Sequence, residues 1–236
     1  MRTPFLKIFS TRQMLVGLLV CVALLSNCGS DDDDGTGLNL EHLTDVEGNV
    51  YVAVPIGSQV WMAENLNVTK YNDGTDIPYV TDEHNVGSLT TGAYSYYAKD
   101  PGNADLYGAL YNWHAIGSGK LCPKGWHVPS DAEWSILINF LGGEDVAGGP
   151  LKEITTAHWS SPNAGATNDS GFSAVPAGYL YDNSTYHSVG NVTHWWTSTQ
   201  KDANSAWDRY VTYKDAKALK GEYSKQVFYS CRCVKN

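Results

Sequence analysis

The sequence predicts an α+β domain of short mixed or antiparallel strands, about two helices and long loops, with its terminal strands paired. Three observations carry that expectation. Val50, Val52, Val54 and Ile56 alternate with other residues before Gly57-Ser58 and Val60-Trp61-Met62, the pattern of a hairpin. Trp134, Leu137, Ile138 and Leu141 fall at helical spacing behind a Ser130/Glu133 capping box. Beyond Gly149 no long helical period survives; short apolar patches alternate instead with Asn, Ser, Gly and Asp.

Ahead of the domain, Arg2, Lys7 and Arg12 form a basic tip, and Met14 to Leu25 is a run of twelve residues without a charge. At ~1.5 Å per helical residue the run covers ~18 Å, well short of the ~30 Å hydrocarbon core. Residues 1–27 therefore read as a secretory signal peptide. Leu25-Ser26-Asn27-Cys28 resembles a bacterial lipobox, which implies lipid attachment at Cys28 and an outer-membrane lipid as partner. The run Asp31 to Asp34 repels itself and stays extended, so residues 28–44 read as anchor and tether. The same run resembles the export signal of surface lipoproteins of Bacteroidetes, which implies an outer-membrane, cell-surface location.

Removal of residues 1–27 leaves 13 basic and 25 acidic residues, a net charge of −12. Such a field repels nucleic acid and anionic lipid surfaces, so neither is expected as a partner. Residues 45–236 are long enough for one domain with a sizeable core. Cys21 leaves with the signal and Cys28 takes the lipid, so Cys122, Cys231 and Cys233 remain for one disulfide and one thiol. Cys231 and Cys233 stand two apart on one predicted strand, poor geometry for bonding to each other, and either can meet Cys122.

Within the domain, Gly57 at the first turn position suits a type II′ hairpin with Val54 opposite Trp61. Residues 65–92 are turn-rich, with Asn72-Asp73-Gly74 the strongest signal. Tyr107 to Ile116 reads as a short helix ended by Gly117 and Gly119, and Asp131 to Leu141 as the better helix, ended by Gly142-Gly143. Gln226 to Val234 reads as a strand that closes the domain beside the first hairpin.

Several stretches now resemble one family. They are Val60-Trp61-Met62-Ala63-Glu64-Asn65-Leu66, Tyr107-Gly108-Ala109-Leu110-Tyr111-Asn112-Trp113 and the long run from Leu121-Cys122-Pro123-Lys124-Gly125-Trp126-His127 to Trp134. Gly165 to Phe172, Trp195-Trp196-Thr197-Ser198-Thr199 and Arg232-Cys233-Val234 complete the set. Together they resemble the Fibrobacter succinogenes major paralogous domain from about Asp45 to the end. The resemblance implies a C-type-lectin-like fold in which a long loop region carries binding, on secreted or lipid-anchored proteins. It also implies a Cys122–Cys233 disulfide; Cys231 departs from the family pattern, standing where an apolar residue is usual.

Chemistry-bearing residues are many but poorly patterned. No two histidines have His-x-x-x-His spacing and no Cys-x-x-Cys pair exists, so a structural zinc site is unsupported. Asn163, Asn168 and Asp169, or Asp182 and Asn183, offer oxygens, but Asn/Asp clusters are first of all turn formers, and no calcium is expected. No cofactor is expected either. Without a Gly-x-Ser-x-Gly elbow a hydrolase is not expected. An oxidase like the formylglycine-generating enzymes is a weak alternative, because one of the two neighbouring thiols is consumed by the disulfide. His127 reads as a hydrogen-bonded core residue, His187 and His194 as surface histidines, and Trp195 and Trp196 as core.

What remains is a recognition surface. Between Gly178 and Tyr213 the chain mixes tyrosines and Trp207 with Asn, Ser, Thr and Gly, the composition of an antibody paratope. Tyr181, Asp182, Tyr186, His187, Trp207, Asp208 and Tyr210 are the residues expected to bind a glycan or protein ligand without catalysis. The alternative is a structural subunit of a surface assembly, such as a fimbrial tip or polysaccharide-uptake complex.

Overall fold

A computed structural model describes residues 41–80 and 83–236. The predicted signal peptide, Cys28 and the acidic run lie outside the described residues. In chain order the first strands are β1 (Glu41–Thr44), β2 (Val50–Ile56), β3 (Gln59–Met62), β4 (Tyr94–Ser95), β5 (Leu110–Asn112) and β6 (Trp126–His127). They are followed by β7 (Tyr179–Leu180), β8 (Tyr186–His187), β9 (Val192–Gln200), β10 (Ser205–Thr212), β11 (Ala218–Ser224), β12 (Phe228–Tyr229) and β13 (Val234–Lys235). The helices are α1 (Ala104–Tyr107), α2 (Trp113–Ile116), α3 (Asp131–Phe140) and α4 (Gly148–Leu151).

These strands form three sheets, ordered β1-β2-β3-β13-β6, β4-β5-β12-β7-β8 and β11-β10-β9, with antiparallel pairing throughout. The fold is therefore β-rich, and the expected α+β, C-type-lectin-like class is corrected. Only α3 exceeds four residues, because the 107–116 stretch does not form one helix. Gly108 leaves helical space at φ 70°, ψ −168°, and the extended Asn112 caps α2 by accepting from the Ala115 N–H. Between these breaks Leu110–Asn112 is free to pair as β5.

The hairpin forms as expected, with Val54 opposite Trp61 and Gly57 at φ 62°. Helix α3 starts at the capping box: Ser130 Oγ accepts from the Glu133 N–H, and Glu133 reaches back to the Ser130 N–H at 2.7 Å. Two boundaries differ from expectation. The tether ends earlier, since residues 41–44 already pair with β2 as β1. The 226–234 stretch is two short strands, because it serves two sheets. β12 lies in the middle of the second, while β13 joins β3 and β6 in the first. The terminal strands thus share a sheet without being neighbours.

Trp61, Trp134, Phe172 and Trp195 fill the centre, with ring centroids 4.7–6.0 Å apart. Arg232 is 1% exposed and lies over the Phe172 ring at 4.0 Å. Its Nε donates to Asn65 Oδ1 at 2.9 Å, and its Nη atoms donate to the carbonyls of Phe172 and Ser173. Trp195 Nε1 donates to the same Asn65 oxygen at 2.9 Å. Burial lowers the Arg232 pKa to about 9, opposed by the nearby Glu64 carboxylate, so the guanidinium stays charged at neutral pH.

Cys122 and Cys233 form a disulfide, and Cys231 is a buried thiol. Desolvation pushes that thiol well above its usual pKa, which leaves it protonated in the folded protein. Trp195 and Trp196 are both fully buried. His127 is hydrogen-bonded, to Glu133 and Asn236 at 2.7 Å each, but at the surface, with its side chain 40% exposed.

Candidate functional site

Alternation along the β9–β10–β11 sheet sorts its side chains into two sets. His194 and Trp196, Asp208 and Tyr210, and Gly221 and Tyr223 belong to one face, as the pairings Tyr210–His194, Asp208–Trp196 and Asp208–Gly221 require. Trp207 and Arg209 belong to the other. There Arg209 bonds Asp131 of α3 at 2.8 Å, and the Trp207 ring is covered by Lys220 Nζ at 3.8 Å.

The first face is built around a buried pair. His194 Nδ1 donates to Asp208 Oδ2 at 2.6 Å, and the two residues are 5% and 0% exposed. The imidazole is sandwiched between Tyr229, at 4.5 Å and 11°, and Tyr210, at 4.8 Å and 24°. Tyr179 and Tyr223 meet it edge-on at 5.3 and 5.8 Å. Farther out, Tyr179 stacks on His187 at 5.4 Å and touches Tyr181 edge-on at 6.4 Å. A half-buried rim of Tyr179, Tyr181, His187, Tyr210 and Tyr223 thus surrounds a buried His–Asp floor.

Glycine is required at position 221: a Cβ there would stand 2.5 Å from Asp208 Oδ1. Desolvation raises the pKa of Tyr210, Tyr223 and Tyr229, and the Asp208 charge raises each further. The phenols therefore stay protonated, able to donate as well as accept. Asp208 Oδ1 and the Tyr229 hydroxyl are buried without a protein partner among the described residues. Among the described residues the hydrogen bond to Asp208 is the one His194 makes through its ring.

The residues expected to bind ligand do not all come together. Tyr181, His187 and Tyr210 come together on the rim. Asp208 belongs to the same cluster but is its floor, not its surface. Asp182 lies on the turn between β7 and β8. Tyr186 turns elsewhere, with its hydroxyl 2.7 Å from Ser95 Oγ and its ring against Tyr97 at 5.4 Å. Trp207 lies on the opposite sheet face, because neighbours on a strand point apart. His194, expected at the surface, is the buried centre. Tyr223 and Tyr229 fall outside the Gly178–Tyr213 stretch; the period-two placement of His194, Asp208, Tyr210 and Tyr223 is the signal in the sequence that joins them.

Residues 54–235 match the model of the Fibrobacter succinogenes major domain. The chain belongs to that family. In this member of the Fibrobacter succinogenes major domain family the match starts within β2 and ends on β13, so it contains the whole tyrosine face and leaves β1 outside. No curated protein and no solved structure matches the chain.

Proposed function

We propose that this chain is a lipid-anchored cell-surface recognition module that binds a glycan or a protein through the tyrosine rim. The rim around the His194–Asp208 pair is the observation that carries this reading. Tyr179, Tyr181, His187, Tyr210 and Tyr223 offer aromatic faces with hydroxyl and imidazole groups at their edges, which suit sugar rings and peptide surfaces alike. The buried pair and the stacked Tyr229 fix these rings in place, so little side-chain entropy is lost on binding. The acidic surface, formally −12 once residues 1–27 are removed, disfavours polyanionic ligands.

Two experiments test the proposal. Tyr181→Ala combined with His187→Ala abolishes retention on an array of glycans and intact cells while the melting temperature stays nearly constant; undiminished retention refutes this surface. For the anchor, labelled palmitate enters the wild type and not Cys28→Ser. Equal labelling of the two would exclude Cys28 as the lipid-bearing residue.

A further inference from the structure

The turn at Asn72-Asp73-Gly74 and residues 90–92 border a cleft of about 480 Å³, within the ~300–1,000 Å³ usual for small-ligand sites. It shares no lining residue with the tyrosine face. The hydroxyls of Tyr71, Thr90 and Thr91 have no partner among the described residues, and His114 Nε2 is buried without one. Gly92 lets Tyr71 and the Ala115 backbone pack closely at the cleft, since a Cβ there would overlap the Tyr71 hydroxyl and stand 3.0 Å from the Ala115 Cα.

The electrostatics are balanced. Lys120 Nζ and Asp73 Oδ2 pair at 2.8 Å, which holds the Asp73 carboxyl well below its usual range. Desolvation, then the Lys225 charge, lowers the His114 pKa, so its ring is neutral at pH 7. The cleft therefore carries no uncompensated charge. It presents three hydroxyls, of Tyr71, Thr90 and Thr91, that both donate and accept.

We propose that this cleft is a second binding site, taking a neutral polyhydroxylated ligand on the order of one or two sugar rings in size. Its ring hydroxyls exchange hydrogen bonds with Tyr71, Thr90 and Thr91. An anionic sugar is disfavoured, because its carboxylate would meet Asp73 while Lys120 is already engaged.

Calorimetric titration of the full chain with cellobiose, maltose and lactose, and with glucuronate as the anionic probe, tests the site. At least one neutral disaccharide binds. Thr90→Val with Thr91→Val, exposed and nearly isosteric changes, weakens it about thirtyfold, as loss of two hydrogen bonds of ~1 kcal/mol each requires. Gly92→Ala abolishes it, with the melting temperature checking the fold. Tyr181→Ala with His187→Ala leaves it unchanged, so failure at this cleft and failure at the tyrosine rim are separable. Binding of glucuronate alone, no binding of any disaccharide, or wild-type affinity in the double valine variant overturns the proposal.

Discussion

Arg232→Ala is expected to destabilise the domain by about 3–5 kcal/mol, the usual cost of removing one partner from a buried charged network. In a chain of this size that lowers the melting temperature by roughly 10 °C. The cause is the set of acceptors left behind: Asn65 Oδ1 and the carbonyls of Phe172 and Ser173 all face the guanidinium. The site is closed to bulk solvent, because Trp195 and Phe172 enclose the same space and are fully buried. Arg232→Lys recovers less than half of the loss, since an ammonium cannot reach divergent acceptors as a planar fork does. Thermal unfolding followed by circular dichroism checks both values. A melting temperature within a degree or two of wild type for Arg232→Ala would show that the network contributes nothing.

Removing the disulfide has an effect of similar size. Cys122 and Cys233 are 111 residues apart, and closing a loop of that length removes about 4–5 kcal/mol of freedom from the unfolded chain. Cys122→Ser combined with Cys233→Ser should lose most of this. Cys233→Ser alone should lose less, because the Cys231, Cys122 and Cys233 sulfurs lie within 4.8 Å of one another and Cys231 can take the vacant place. Peptide mapping without reduction then finds Cys122 joined to Cys231 in that variant. Equal destabilisation of the single and double variants, with Cys231 still free, contradicts the exchange of partners.

Legibility in the sequence followed the range of the interactions. The first hairpin and α3 were readable because their signals are local: a period of two around Gly57-Ser58, and a capping box ahead of an apolar stripe. Stretch 107–116 misled because Leu110 and Trp113 keep helical spacing, while Asn112 between them caps α2 and pairs in β5. The fold class was not readable. β6, β7, β8, β12 and β13 are two residues long, too short to show a period, and the partners of β6, β12 and β13 are distant in sequence. The buried role of Arg232 was hidden for the same reason, since Asn65 lies 167 residues away. His194 was obscured by Trp195 and Trp196. Read with a period of two, His194 and Trp196 share a face, and Asp208 and Tyr210 fall opposite them across the hairpin.

The most direct test of the recognition surface compares the two faces of the β9–β10–β11 sheet in one retention assay. Tyr181→Ala with His187→Ala alters the tyrosine rim, whereas Trp207→Ala alters the opposite face and removes only a ring covered by Lys220 and Lys201. Loss of retention in the first variant and wild-type retention in the second is the predicted result. The reverse outcome, with binding abolished by Trp207→Ala and intact in the rim variant, would move the recognition surface to the other side of the sheet.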